Sequence, residues 1–182
     1  EGYGYVLYRT RVEPAAGRLE IRELRDYGVV YLDGRKVAVL DRRKGESSVE
    51  LEVKRPGVLE IFVENMGRIN YGPEMVRNRK GITESVTLAG RELTGWEMFA
   101  LPMRDVSAKA WSRTGAAYGP VVRRGTFRMA RVGDTFVDMR GFGKGCLFVN
   151  GRNLGRVWDI GPQQTLDVPG VWMKAGVNEG VV

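Results

Sequence analysis

The chain has 182 residues, fewer than the ~250 of a complete (β/α)₈ barrel, which leaves room for one or two compact domains. Hydrophobic residues at 43% and charged residues at 28% are the balance of a globular chain, and no apolar stretch approaches the ~20 residues of a membrane span. The absence of histidine removes Ser-His and Cys-His nucleophile pairs and His-ligated zinc, while the net charge of +7 comes from arginines scattered among acidic neighbours, a solvated surface rather than a nucleic-acid face.

The amino end, Glu1-Gly2-Tyr3-Gly4, is neither a signal peptide nor a methionine start, so the chain is expected to be cut from a longer one. Glycine at 25 of 182, without a collagen-like period, predicts many tight turns between short strands. The first hairpin is read at Val30-Tyr31-Leu32-Asp33-Gly34-Arg35-Lys36-Val37, because a type I′ turn needs positive φ at both central residues and Asp-Gly supplies it. Alternation then predicts half-buried strands, with Val49, Leu51 and Val53 on one face, and Leu59, Ile61 and Val63 repeating the pattern. A shaped loop follows at Asn65 to Gly72. A second hairpin turns at Ala89-Gly90, and Glu97 to Trp111 is expected to hold a short helix broken at Pro102. The third hairpin turns at Asn150-Gly151.

The first and third hairpins lie 117 positions apart (151 minus 34), and Gly57 and Gly176 open similar segments 119 apart. A period this long suits two domains on one plan. The expected fold is therefore all-β, two tandem sandwiches, with domains at residues 1–103 and 104–182. Gly180 takes the place of Ile61 in this repeat, which predicts a bulge or a fraying terminal strand.

Candidates for chemistry are few. Gly141-Phe142-Gly143-Lys144-Gly145 lacks the Ser or Thr and the helix of a phosphate loop and reads as a crossing at a sandwich edge. Cys146, the single cysteine, lies in an apolar run and reads as a small buried thiol; it leaves the compartment open. Asp134, Asp138 and Asp159 read as turn or ion-pair residues, and no metal motif or cofactor motif is present. Among the tryptophans Trp96, Trp111, Trp158 and Trp172, core packing competes with stacking on a sugar ring. In the 65–72 loop Arg68 is suited to bind a carboxylate or carbonyls, with Asn70 and Tyr71 presenting polar tips to a ligand cleft or a domain interface.

Several segments together resemble glycoside hydrolase family 35, the β-galactosidases: Gly4 to Thr10, Glu64 to Gly72, Arg79 to Ile82, Gly141 to Gly145, Val149 to Arg156, and Ile160 to Leu166 followed by Val168-Pro169-Gly170. The resemblance runs over essentially the whole chain. It implies the two jelly-roll domains that follow the catalytic barrel, the second galactose-binding-like, with both catalytic glutamates on the barrel and none here. It further implies the barrel as partner, Arg68, Asn70 and Tyr71 as a barrel-facing or substrate-cleft loop, and Trp158 or Trp172 as contacts in an alternative role, an independent galactoside-binding module. A surface parted from its barrel is also open to self-association as a homo-oligomer. Two departures stand out. Val157 replaces the usual aromatic, and Gly180 replaces an aliphatic of the final strand.

Overall fold

The structure, a computed structural model, describes residues 4–104 and 119–182. These form two compact units, one containing the described residues through Pro102 and the other containing Pro120–Val182. Both are built from antiparallel strands, and no α-helix occurs among the described residues.

The first unit contains strands β1 (Tyr5–Val12), β2 (Ala15–Ile21), β3 (Leu24–Arg25), β4 (Tyr27–Leu32), β5 (Arg35–Asp41), β6 (Ser48–Val53), β7 (Gly57–Glu64), β8 (Gly81–Ile82), β9 (Val86–Leu88), β10 (Arg91–Glu92) and β11 (Glu97–Leu101). A five-stranded sheet ordered β11-β1-β7-β4-β5 faces a four-stranded one ordered β10-β9-β2-β6, and β3 pairs with β8 alone. Period-2 alternation explains the core. Leu59, Ile61 and Val63 of β7 point inward at 1% exposure or less, against Leu19 and Ile21 of β2 and Leu51 and Val53 of β6. Each such side chain stabilises the unit by about 1.5–3 kcal/mol relative to exposure.

The second unit contains β12 (Arg124–Met129), β13 (Thr135–Asp138), β14 (Lys144–Val149), β15 (Arg152–Trp158), β16 (Thr165–Val168) and β17 (Gly176–Val181). A four-stranded sheet ordered β12-β17-β14-β15 opposes the two-stranded pair β13-β16, with Met139, Leu147, Val149, Leu166, Val168 and Met173 buried between them. The Gly141 to Gly145 run carries the chain from β13 in one sheet to β14 in the other, with Gly141 and Gly143 at φ +87° and +71°.

The three hairpin turns have the expected geometry, with φ +50° and +75° at Asp33-Gly34, +49° and +77° at Ala89-Gly90, and +48° and +78° at Asn150-Gly151. The internal repeat also acquires a mechanism. Asp33 N donates to Val58 O and Asp33 Oδ1 accepts from Val58 N; Asn150 N donates to Glu179 O and Asn150 Oδ1 accepts from Glu179 N. In each unit the turn residue thus ties its hairpin to the strand beside it.

Three expectations are corrected. Glu97 to Leu101 is a strand, because the ladder offered by the edge of β1 satisfies its backbone from Tyr5 to Arg9; Trp111 lies outside the described residues. Gly180 neither bulges nor frays. It pairs with Gly125 on one side and Val149 on the other inside an interior strand, and its counterpart in the first unit is Leu59 opposite Leu32, two positions from the expected Ile61. Cys146 is half-buried rather than buried, opposite Arg156 on β15.

Candidate functional site

Between β7 and β8 the first unit carries a long connection, and its two ends are held by one carboxylate. Asp26 Oδ2 accepts from Met66 N at 3.1 Å and from Lys80 Nζ at 2.6 Å, while Oδ1 accepts from Arg42 at 3.3 Å. The side chains of Asp26 and Lys80 are 5% and 7% exposed, so this ion pair is withdrawn from water. The carboxylate is fixed in turn because Asp26 N donates to Glu64 O at 3.0 Å. Lys80 is followed by Gly81 at φ +96°, where a Cβ would come within 2.3 Å of the Tyr8 hydroxyl; that hydroxyl accepts from Ile82 N at 3.0 Å.

Inside these anchors the loop is closed on itself. Arg68 donates to Asn78 O at 2.6 Å, Ile69 N donates to Asn78 Oδ1 at 3.3 Å, and Gly67 N donates to Asn65 Oδ1 at 2.8 Å. Arg68 therefore holds a backbone carbonyl, one of its two expected partners. Asn70 is exposed at the tip, Tyr71 is 89% exposed, and Val76, in the 3-10 turn Pro73–Arg77, is 95% exposed. A rigid frame presents apolar and aromatic groups to solvent.

The outward face of the five-stranded sheet is unusual too. A solvated sheet face normally alternates to polar residues, yet cross-strand register aligns Phe99, Leu7, Phe62, Val29 and Val39 in one row from edge to edge. Tyr5 stacks on Phe62 with centroids 4.8 Å apart. A neighbouring row holds the Arg9–Glu60 ion pair at 2.8 Å and Tyr31, whose phenol is raised above its usual pKa by burial and then by Glu60 and Tyr27.

In the second unit Trp158 ends β15 and Trp172 lies in the 3-10 turn Gly170–Trp172; both are half-buried. Each indole has a cation over one face. Lys144 Nζ is 3.5 Å from the Trp158 centroid and the Arg152 guanidinium carbon 5.4 Å from that of Trp172. Trp96 packs edge-on against Tyr8 and donates to Leu93 O at 2.9 Å, a core role. Asp134 Oδ1 accepts from Gly170 N at 2.7 Å, and Asp138 pairs with Arg140, which with the Arg140 N–H holds its carboxyl down at about 2. The second unit carries a cavity of about 580 Å³ where apolar side chains such as Phe127, Met129, Met139 and Leu147 meet Arg123, Arg124, Thr126, Thr135 and Asp138.

Residues 1–102 match the family model described as the first all-β domain of β-galactosidase, and residues 120–178 match the β-galactosidase galactose-binding domain. The chain belongs to the β-galactosidase family. A β-galactosidase of Xanthomonas manihotis is 45% identical over 169 residues, a match covering 91% of this chain and 28% of that protein. The human β-galactosidase-1-like protein 2 is 33% identical, with 100% of this chain and 29% of that protein covered. The chain thus spans less than a third of the length of these β-galactosidases, corresponding to the two non-catalytic all-β domains. Among solved structures, a Streptomyces avermitilis α-L-rhamnosidase in complex with L-rhamnose aligns at TM-score 0.33 and 16% identity, over 100% of this chain and 22% of that one.

Asp26 and Asn78 lie outside the segments singled out in the sequence, and Lys80 falls within the Arg79 to Ile82 segment of the resemblance without a role assigned to it; Asp26 stands among charged neighbours in Glu23-Leu24-Arg25-Asp26. Their meeting depends on β4, β7 and β8 coming together.

Proposed function

We propose that the chain is an accessory region of a β-galactosidase, without hydrolytic activity of its own, that braces the catalytic barrel and helps shape its substrate cleft. The observation that carries this is the apolar row Phe99-Leu7-Phe62-Val29-Val39 on an outward sheet face of a β-galactosidase all-β domain. Such a face is stabilised by a covering partner, and the barrel is the partner the family supplies. The framed loop with Arg68, Asn70 and Tyr71 is the second contact, reaching the barrel or the aglycone side of the cleft.

The test uses the complete enzyme and the 182-residue chain side by side. Val39→Lys, at a position 37% exposed, should lower the melting temperature of the complete enzyme and leave that of the chain unchanged. Tyr71→Ala in the complete enzyme should alter kcat/KM on longer galactosides more than on a small chromogenic one. Unchanged melting and unchanged kinetics in both variants would overturn the reading.

A second reading, an independent galactoside-binding module, is favoured by the galactose-binding match over residues 120–178. It assigns sugar contact to the half-buried indoles of Trp158 and Trp172. A resonance titration of the labelled chain with galactose, lactose and a longer galacto-oligosaccharide decides it: saturable shifts clustered at these indoles support the module, and their absence at millimolar sugar leaves the bracing role.

A further inference from the structure

The connection from Met66 to Lys80 is a loop whose two ends meet at a single atom. Asp26 Oδ2 accepts from Met66 N at 3.1 Å and from Lys80 Nζ at 2.6 Å, so the chain leaves β7 and returns to β8 through one carboxylate oxygen. A loop of this length with joined ends is the compact kind that keeps its shape through its own side chains. Asp26 is itself held on both sides: its N–H donates to Glu64 O and its carbonyl accepts from Arg42 N, each at 3.0 Å. The base of the loop is thereby fixed to β7 and to the turn after β5.

A second rung crosses the loop nearer its tip. Asn78 accepts two bonds from the opposite limb, its carbonyl from the Arg68 guanidinium at 2.6 Å and its Oδ1 from Ile69 N at 3.3 Å. Asn78 N donates in turn to Met75 O at 3.3 Å, which joins the rung to the 3-10 turn Pro73–Arg77. Residues 70–77 lie beyond this rung, and Tyr71 among them is 89% exposed. With so little of its own surface buried, Tyr71 owes its position to the backbone that carries it, and that backbone is held by the two rungs. Holding a contact group in place before its ligand arrives removes part of the entropic cost of binding.

We infer that Asp26 and Asn78 are positioning residues, which set the preference of the complete enzyme for longer galactosides by holding the Tyr71 loop in place without touching substrate themselves. This rests on the reading that Tyr71 contacts the aglycone side of the cleft. A longer galactoside reaches further along that side than a small chromogenic one, so it depends more on the loop. Asp26 acts from the sheet and Asn78 from inside the loop, so loosening either rung displaces the same tip.

The experiment measures kcat and KM of the complete enzyme on a longer galacto-oligosaccharide and on a small chromogenic galactoside, for Asn78→Ala, Asp26→Asn, Tyr71→Ala and Leu51→Ala. Leu51→Ala truncates a buried residue of β6, in the sheet opposite the one Asp26 adjoins, and controls for general loss of stability. Asn78→Ala and Asp26→Asn should each lower the ratio of kcat/KM on the longer substrate to that on the small one at least ~5-fold, with the loss carried by KM rather than kcat. Leu51→Ala should lower the melting temperature and leave the ratio unchanged. Asn78→Ala keeps every contact of the buried Asp26–Lys80 pair, so it carries the test where Asp26→Asn does not fold. An unmoved ratio in either positioning variant, while Tyr71→Ala lowers it, would overturn the assignment and leave the Tyr71 contact standing. An unmoved ratio in Tyr71→Ala would overturn that contact and the assignment with it. An equal fall in Leu51→Ala would overturn the assignment as well, because any weakening of the first unit would then have the same effect.

Discussion

Replacing Asp26 by alanine tests whether one carboxylate frames the exposed loop. Lys80 Nζ lies 2.6 Å from Asp26 Oδ2 with its side chain 7% exposed, and Arg42 at 3.3 Å is far more open to solvent. Asp26→Ala leaves a buried ammonium without its counter-charge and strands Met66 N, and removing one partner of a buried pair costs about 3–5 kcal/mol. For a unit of roughly 100 residues each kcal/mol moves the melting temperature by about 4–8 °C, so the first unit should melt at least about 12 °C lower. Lys80→Met should cost less, about 1–2 kcal/mol, because Asp26 keeps Arg42 and Met66 N. The double variant should be more stable than the sum of the two single losses predicts, by about 1 kcal/mol or more. Calorimetry of the 182-residue chain reads the melting, and hydrogen exchange across residues 66–80 reports whether the loss is local. A cost below about 1 kcal/mol for Asp26→Ala, or strict additivity in the double variant, would refute the framing argument.

Gly81→Ala should destabilise the first unit by about 1–3 kcal/mol, since its φ is +96° and the new methyl would meet the Tyr8 hydroxyl at 2.3 Å. Tyr8→Phe removes that oxygen, leaving the nearest ring carbon at 3.5 Å, so the two losses measured by urea unfolding should combine to less than their sum. In the second unit Asn178 is 1% exposed and bonds Lys174 N, Lys174 O and the Asn150 amide, so Asn178→Ala should cost about 3 kcal/mol or more in thermal melts, and a loss under about 1 kcal/mol would count against it. Asp138 should titrate near 2 in a carbon-detected resonance experiment and return toward 3.8 in Arg140→Ala. Because its folded pKa is depressed, the pair's contribution is complete above the unfolded value of 3.8 and is lost as pH falls through about 2; an Asp138 midpoint unmoved by the variant would exclude Arg140 as the cause.

What the sequence made legible was the part of the structure written locally. The three turns at Asp33-Gly34, Ala89-Gly90 and Asn150-Gly151 need two positive φ angles in a row, and this requirement stays visible in two letters. The alternation of Leu59, Ile61 and Val63 is likewise a local record of one buried face. The strand character of Glu97 to Leu101 comes from β1, whose paired residues lie 88 to 96 positions earlier (97 minus 9, 101 minus 5) and whose edge offers backbone partners that no local pattern announces. The loop shows the same division. Arg68, Asn70 and Tyr71 stand out by composition, whereas Asp26 and Lys80, which hold the loop in place, are 54 residues apart and resemble any surface charge until the sheet brings them together.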